Sequence, residues 1–184
     1  MPPPPWRLQR DQNGGGIFVN WGSYDLDFLF TIIDWKAETL SSVQAHTWTM
    51  PPDFLAHQSV GSDAETHITL LARYQEGPVL QYERAERATS RDEGTWQIIG
   101  DRGTLHVHML DRQAPVELDK SDSEQGLISE ILHQEDEPEY NVHAVPMQDF
   151  AQAIQENRSP QTDIRRCQII QDLVDAAYQS AESE

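Results

Sequence analysis

The chain has 184 residues, of which 38% are apolar and 24% charged, which indicates a globular protein and excludes a disordered one. Its 31 acidic residues outnumber 13 basic ones and give a formal charge of -18, so neither nucleic acid nor an anionic membrane surface is an expected partner. No stretch approaches the ~18 apolar residues of a membrane-spanning helix, and no signal peptide is evident. Cys167 is the only cysteine, so no intrachain disulfide forms, in agreement with a cytoplasmic location.

The N-terminal segment is typical of a linker that leads into a domain. Pro2–Pro5 favour an extended polyproline conformation. Gly14–Gly16 then precede a strongly apolar stretch over residues 17–33. We therefore predict a lead-in over residues 1–13 and a single domain over residues 14–184.

The stretch 17–33 predicts a buried helix with one polar face. Its apolar residues at helical spacing are Trp21, Phe28, Leu29, Ile32 and Ile33. Asn20, Tyr24, Asp27 and Thr31 follow one another at i, i+4, i+7 and i+11 and so lie on one face. An unpaired polar group away from water costs about 1–3 kcal/mol. These side chains therefore either find internal partners or line a cavity, and the sequence leaves both alternatives open.

Alternating apolar and polar residues predict an antiparallel sheet after residue 40. The predicted strands lie in 43–50, 65–74, 79–89, 96–98 and 105–109, with a short edge strand at 116–118. The outward face, which meets solvent or a second subunit, carries Glu65, His67, Arg73, Gln81, Glu83 and Arg87. The acidic run from Glu117 to Glu139 predicts a solvated loop.

Two helices are predicted at the end of the chain. The first begins near Pro146 and carries an apolar stripe of Met147, Phe150, Ala151 and Ile154. Thr162 is the predicted cap of the second, in which Cys167 is interpreted as a core residue. The order of elements predicts an α+β fold in which an open antiparallel β-sheet has one face covered by helices.

Motifs for metal, nucleotide and nucleophile chemistry are missing or incomplete. His106 and His108 share a strand face but have no third ligand at regular spacing, so we predict no metal site. No Gly-x-Gly-x-x-Gly follows a strand, and neither a Gly-x-Ser-x-Gly elbow nor a His-Glu-x-x-His motif occurs.

The segment from Gly14 to Asp27 resembles the signature that opens the C-terminal domain of the glucose–fructose oxidoreductase/inositol dehydrogenase/MocA (Gfo/Idh/MocA) family. That signature has three glycines, three apolar residues, Asp, any residue, Gly, any residue, His, two residues and Asp. Further pieces that resemble the family in order are Trp6-Arg7, Gly100–Leu105, Phe150–Ile154 and Val174–Ala181. The resemblance implies a C-terminal domain like that of dihydrodipicolinate reductase or glyceraldehyde-3-phosphate dehydrogenase.

The resemblance also implies a chemistry, namely hydride transfer between a nicotinamide ring and a carbon that bears a hydroxyl. Such a reaction needs an acid/base group, which in the family is the signature His. Here Tyr24 stands at the His position and Asn20 at the Asp position, so Tyr24 is the implied catalytic residue. Arg7, Asn20 and Tyr24 are the implied substrate-binding residues for a sugar-like molecule. Asp27 matches the signature and is interpreted as supporting its neighbours or capping the helix.

The resemblance covers only the substrate-side half of such an enzyme. The two lysines, Lys36 and Lys120, do not lie in a Glu-Lys-Pro motif, so NAD or NADP is expected to be bound mainly by a domain absent from this chain. The chain alone is not expected to be active, and a homodimer or tetramer through the sheet face is implied. The alternative is a non-catalytic, stand-alone sugar-binding or oligomerisation module. Whether the chain is an excised piece or a natural short protein stays open.

Overall fold

Helices and antiparallel strands make up the computed structural model, which confirms the α+β class. It describes residues 5–34, 39–49, 61–86, 94, 96–111, 113–134, 141 and 143–183. Predictions that fall on Pro2–Pro4, Lys36 and Arg87 lie outside these ranges. The chain forms two compact units, one of Met1–Thr89 with Pro146–Glu184 and one of Ser90–Val145. The lead-in over 1–13 and the single domain over 14–184 stay predictions.

The first unit combines a three-stranded sheet with most of the helices. Its elements are a 3-10 turn (Pro5–Leu8), α1 (Arg10–Asn13), a π-helical turn (Phe18–Gly22), α2 (Ser23–Ile32), β1 (Leu40–Trp48), β2 (His67–Tyr74), β3 (Val79–Ala85), most of α3 (Ala144–Glu156) and α4 (Ile164–Glu182). The sheet is antiparallel in the order β1-β2-β3. The π-helical turn and α2 together correspond to the predicted helix over 17–33.

The core of this unit lies on one face of the sheet. Along β2, Ile68, Leu70, Ala72 and Tyr74 are buried and alternate with exposed residues, as the sequence pattern predicts. Opposite them pack buried residues of α2 and of α4, namely Leu26, Phe30, Ile170, Leu173, Val174 and Ala177. Full burial of one such apolar side chain contributes about 1.5–3 kcal/mol, so this layer fixes the helix that bears the predicted site.

The C-terminal helices differ from the prediction in three details. Cys167 is exposed, because the buried stripe of α4 begins only at Ile170. The cap of α4 is Asp163 instead of Thr162, since Asp163 has an extended backbone and its Oδ1 accepts from the nitrogens of Arg165 and Arg166, each at 3.0 Å. In α3 the predicted apolar stripe is exposed and Ala153 is the buried residue.

The second unit contains a four-stranded antiparallel sheet. Its strands are β4 (Trp96–Gly100), β5 (Gly103–Val107), β6 (Val116–Asp122) and β7 (Gly126–His133), in the order β4-β5-β6-β7. In the described residues the seven strands thus form two sheets, where the sequence suggested one succession of strands.

The predicted acidic loop is wrong for residues 117–133, which form most of the β6–β7 hairpin. Cross-strand contacts compensate the negative charge there. Lys120 Nζ lies 2.6 Å from Glu130 Oε2, and the hydroxyl of Ser129 donates to Asp119 Oδ1 at 2.5 Å. Opposite charges and hydroxyls facing each other across strands stabilise a hairpin even where its composition is polar.

The described helices include none that is long and apolar enough to span a membrane.

Candidate functional site

The glycine segment before the π-helical turn is shaped by close packing. A Cβ atom on Gly16 would lie 1.9 Å from the carbonyl oxygen of Glu65, and one on Gly15 would lie 2.0 Å from the hydroxyl oxygen of Tyr178. Gly14 has a φ of 81°, which favours glycine. Gly15 and Gly16 therefore allow the chain to approach helix α4 and the segment before β2, and Gly14 allows the turn that precedes them.

Glu65 holds the start of the site helix. Only 8% exposed, its Oε2 accepts from the nitrogen of Gly16 at 2.7 Å, and its Oε1 accepts from the nitrogen of Phe18 at 3.3 Å. The hydroxyl of Tyr178 also donates to Oε1 at 2.7 Å. Burial, and next the Glu65 carboxylate, raise the pKa of Tyr178. The carboxylate thus satisfies backbone groups that a helix start leaves free.

The prediction that Glu65 lies on the outer sheet face is wrong. β2 begins only at His67, so Glu65 precedes the strand and its side chain turns to the glycine segment. Alternation along the sequence extends past the real end of the strand and does not reveal this.

Arg7 and Asn20 are brought together by the fold. Arg7 Nε donates to Asn20 Oδ1 at 3.3 Å, and Asn13 Nδ2 donates to the same oxygen at 3.3 Å. Asn13 also donates to the carbonyl oxygen of Gly15 at 2.7 Å, which ties α1 to the glycine segment. The amide oxygen of Asn20 is therefore engaged. Among the residues that the structure describes, the amide nitrogen of Asn20 and the terminal nitrogens of Arg7 have no partner.

Tyr24 lies one turn further along the same helix and faces solvent. It is 64% exposed, and its ring centre lies 6.1 Å from that of Trp21. Its hydroxyl has no hydrogen-bond partner in the described part of the chain. The hydroxyl is therefore accessible to a ligand, whereas no contact joins it to Arg7 or Asn20.

The far end of the polar face is paired with α4. The hydroxyl of Thr162 donates to Asp27 Oδ2 at 3.3 Å, and Arg166 lies 3.6 Å from Asp27 Oδ1. Arg166 also donates to the hydroxyl of Thr31 at 2.7 Å. Asp27 thus joins the site helix to Thr162 and Arg166, while at the other end of the face Asn20 and Tyr24 keep polar groups that have no partner among the described residues.

A buried polar cluster under the site helix escaped the sequence analysis. Asp25 is fully buried, and its Oδ2 accepts from the hydroxyl of Tyr82 at 2.8 Å. Arg84 Nε lies 3.7 Å from the same oxygen, and the guanidinium carbon lies 4.8 Å from the centre of the Trp21 ring. Burial raises the pKa of Asp25, although Tyr82 and Arg84 act in the opposite direction. The alternation in β3 places Tyr82 and Arg84 on the inner face, and this pattern could have predicted a polar group inside the sheet.

Two other groups of polar residues are weaker candidates for a binding site. His106 Nε2 lies 2.9 Å from Asp119 Oδ2, and no cluster of metal-ligating side chains occurs in the described ranges. A polar pocket of about 120 Å³ in the first unit is lined by Arg10, Thr47, Trp48, Thr49, Asp63, Glu65 and Tyr178. Its charged groups are largely engaged, since Glu65 caps the helix, Arg10 pairs with Glu182, and the Arg10 nitrogen donates to Asp63 at 2.8 Å.

The fold and the glycine-led helix with its polar face define the C-terminal domain type of a dehydrogenase family. A family model described as the GFO/IDH/MocA C-terminal domain matches residues 1–106, and the chain belongs to this family. No match is found among curated proteins.

Solved structures share the fold. A levoglucosan dehydrogenase in complex with NADH is 18% identical, with a TM-score of 0.73 over 100% of this chain and 53% of its own. An NAD binding oxidoreductase from Klebsiella pneumoniae is 16% identical, with a TM-score of 0.74 over 98% of this chain and 52% of its own. The WlbA dehydrogenase from Bordetella pertussis, in complex with NADH and UDP-GlcNAcA, is 21% identical, with a TM-score of 0.62 over 97% and 46%. The chain spans about half the length of these structures.

Proposed function

We propose that this chain is the substrate-binding half of an NAD(P)-dependent oxidoreductase that acts on a sugar, a polyol or a related hydroxyl compound. The observation that carries the proposal is the N-terminal end of the polar face, where the Asn20 amide nitrogen and the Tyr24 hydroxyl lie one turn apart and have no partner among the described residues. Family membership and the sugar-related and NADH complexes of similar folds support it.

Asn20 and Arg7 are the proposed ligands of the substrate hydroxyls. Their free N–H groups donate directional hydrogen bonds to hydroxyl oxygens, which suits a molecule with several hydroxyls. The bond from Arg7 Nε to Asn20 Oδ1 fixes the orientation of the amide, so its nitrogen is held ready before the ligand arrives.

Tyr24 is the proposed acid/base group. The substrate hydroxyl must release its proton as the carbon loses hydride, and a positioned side chain accelerates that transfer. A phenol is a weak acid, so Tyr24 needs a nearby cation that stabilises the phenolate, which is the form that accepts a proton. That cation is expected from the nucleotide-binding half, as the family resemblance implies.

The nicotinamide cofactor, which takes up or supplies hydride, does not fit the glycine segment of this chain. Glu65 occupies the nitrogens of Gly16 and Phe18, so these groups are not free for a pyrophosphate. The negative charge of that carboxylate also repels an anion. NAD or NADP is therefore proposed to bind mainly to a domain outside this chain.

Isothermal titration calorimetry of the purified chain with D-glucose and with myo-inositol tests the proposed site. Asn20→Ala is expected to weaken binding about tenfold, which is the loss of a hydrogen-bond pair worth ~1.4 kcal/mol. Gln44→Ala on the outer sheet face is the matched control and should leave the affinity unchanged. Failure of every polyol to bind, or equal loss in both variants, would refute the proposed site.

A stand-alone binding or oligomerisation module without redox activity is the second candidate. It is favoured by the absence, among the described residues, of any cation in contact with the Tyr24 hydroxyl. Reading the coding DNA upstream of the Met1 codon separates the two. An in-frame Gly-x-Gly-x-x-Gly and Glu-Lys-Pro support the enzyme, whereas a stop codon and a ribosome-binding site directly upstream support the module.

The outer face of the β1-β2-β3 sheet is the proposed contact between two copies. It exposes Trp48, Leu71 and Val79 beside His67 and Glu83, with 3.1 Å between His67 Nε2 and Glu83 Oε1. Light scattering is expected to show a dimer that Leu71→Lys dissociates, while Ile164→Lys, at a more exposed apolar position on α4, leaves it intact. A monomeric wild-type chain would rule out this contact.

A further inference from the structure

An arginine points to the helix-covered side of the sheet at the end of β3. Leu80, Tyr82 and Arg84 share the inner face of this strand, and Gln81 and Glu83 between them are exposed. A charged side chain on an inner face is costly unless other groups pair with it. Solvation by water therefore does not explain why an arginine occupies position 84, and its contacts in the protein must be considered.

The Arg84 side chain is anchored at two places. Its Nε lies 3.7 Å from the fully buried Asp25, whose carboxylate is itself held by Tyr82 at 2.8 Å. Its guanidinium plane is supported by the ring of Trp21, with 4.8 Å between the guanidinium carbon and the ring centre. Such anchoring reduces the conformational entropy that Arg84 would lose on binding a ligand.

The terminal nitrogens of Arg84 lie close to Trp21 of the site helix and remain available to a ligand. The side chain is 24% exposed, and its two terminal nitrogens have no hydrogen-bond partner in the described part of the chain. Trp21, on which it rests, directly follows Asn20 and lies against Tyr24, with 6.1 Å between the ring centres.

The free groups of the site helix and its surroundings are mostly donors. They are the terminal nitrogens of Arg7 and Arg84 and the amide nitrogen of Asn20, together with the Tyr24 hydroxyl. The two carboxylates on the same helix already have partners in the protein, Asp25 in Tyr82 and Arg84, and Asp27 in Thr162 and Arg166. A donor-rich site with two guanidinium groups suits a ligand that brings negative charge.

We propose that Arg84 is a specificity-determining residue that recognises an anionic group, a carboxylate or a phosphate, on the sugar or polyol substrate. This inference rests on the proposed function. The two terminal N–H groups of a guanidinium match two oxygens of a carboxylate or phosphate, and such charge-assisted pairs are about twice as strong as neutral ones. A neutral sugar would use Asn20 and Arg7 and leave Arg84 without a partner.

The test is a calorimetric titration of the 184-residue chain at low ionic strength with D-glucose, D-glucuronate and D-glucose 6-phosphate. These probes share one ring and differ in the group at the sixth carbon, so they also distinguish carboxylate from phosphate. At least one anionic probe is expected to bind about tenfold more tightly than D-glucose. Arg84→Gln is expected to abolish this preference and to change the affinity for D-glucose by less than about twofold.

Arg165→Gln, at an exposed position on α4, is the matched control because it removes the same charge and should preserve the preference. Arg84→Lys keeps the charge next to Asp25 and guards against misfolding of the glutamine variant. It is expected to reduce the preference about threefold or more, because an ammonium lacks the planar pair of donors.

Each of the following outcomes would overturn the inference. Equal binding of D-glucose and both anions refutes it and leaves the proposed function standing, whereas no binding of any sugar refutes the proposed function and this inference with it. An unchanged preference in Arg84→Lys, or an equal effect of Arg84→Gln and Arg165→Gln, shows that net charge alone is responsible. NADH that binds the chain and is lost in Arg84→Gln would assign the arginine to a cofactor phosphate instead.

Discussion

The carboxylate of Glu65 accepts a hydrogen bond at 2.7 Å from the backbone nitrogen of Gly16, a residue 49 positions earlier in the chain. The backbone of Glu65 also contacts this segment, because its carbonyl oxygen accepts a hydrogen bond from the nitrogen of Ile17 at 3.0 Å. These bonds join the segment before β2 to the start of the helix that carries Asn20 and Tyr24. The site is thus positioned by a residue outside the signature.

Loss of the Glu65 carboxylate is expected to destabilise the fold. Glu65→Ala leaves buried backbone N–H groups without acceptors, and we expect a decrease of at least about 2 kcal/mol in the free energy of unfolding. Tyr178→Phe removes a single bond to the same carboxylate and should cost about 1 kcal/mol. Urea denaturation of both variants measures this, and an equal or smaller loss for Glu65→Ala would contradict the role of the carboxylate.

Two alanine substitutions in the glycine segment are expected to reduce the stability of the fold by very different amounts. Gly16→Ala places a Cβ 1.9 Å from a backbone oxygen that side-chain motion cannot relieve, so we expect a severe loss of stability or of folding. Gly14→Ala meets open space and carries only the strain of φ 81°, about 1 kcal/mol. Thermal unfolding of the two variants gives the order, and a Gly16→Ala protein as stable as Gly14→Ala would refute the close packing.

The buried Asp25 gives a prediction about pH. Burial raises its pKa above the ordinary 3.8, so the folded chain holds this proton more tightly than the unfolded chain. The contribution of Asp25 to stability is therefore full below that value and is lost as pH rises through the folded-state pKa. Asp25→Asn removes this titration.

We accordingly expect the stability of Asp25→Asn relative to wild type to increase as pH is raised from about 4 towards neutrality. Urea unfolding of both proteins at a series of pH values measures the difference in their free energies of unfolding. The contributions of the other carboxylates are the same in both proteins and cancel in this difference. A difference that decreases with pH would mean that Tyr82 and Arg84 outweigh burial and hold the folded-state pKa of Asp25 below 3.8.

The start of α4 offers a matched pair of substitutions. Asp163→Ala removes the acceptor for the nitrogens of Arg165 and Arg166 and should cost about 1 kcal/mol. Thr162→Ala removes one long bond to Asp27, at 3.3 Å, and should cost less than about 0.5 kcal/mol. Chemical denaturation distinguishes them, and the reverse order would restore Thr162 as the cap.

Local patterns in the sequence predicted much of the fold. Alternation in residues 66–72 identified the buried face of β2, and helical spacing in 17–33 identified the site helix. These predictions hold because side-chain periodicity follows from backbone geometry, which each segment carries by itself. The resemblance of Gly14–Asp27 to the family signature likewise depends on contiguous residues, and the family model confirms it.

Contacts between distant residues were decided only by the tertiary structure. The hairpin of residues 117–133 brings Lys120 to Glu130, and the place of Glu65 depends on the packing of Gly16 against it. Exposure of Cys167 likewise depends on where the core ends along α4. Composition and spacing determine which face of a segment is apolar, whereas the partner of a polar group is determined by distances across the folded chain. The family resemblance implied Arg7, Asn20 and Tyr24 as site residues. Only the structure showed that Asp25, on the same helix as Asn20 and Tyr24, contacts Tyr82 and Arg84 of β3.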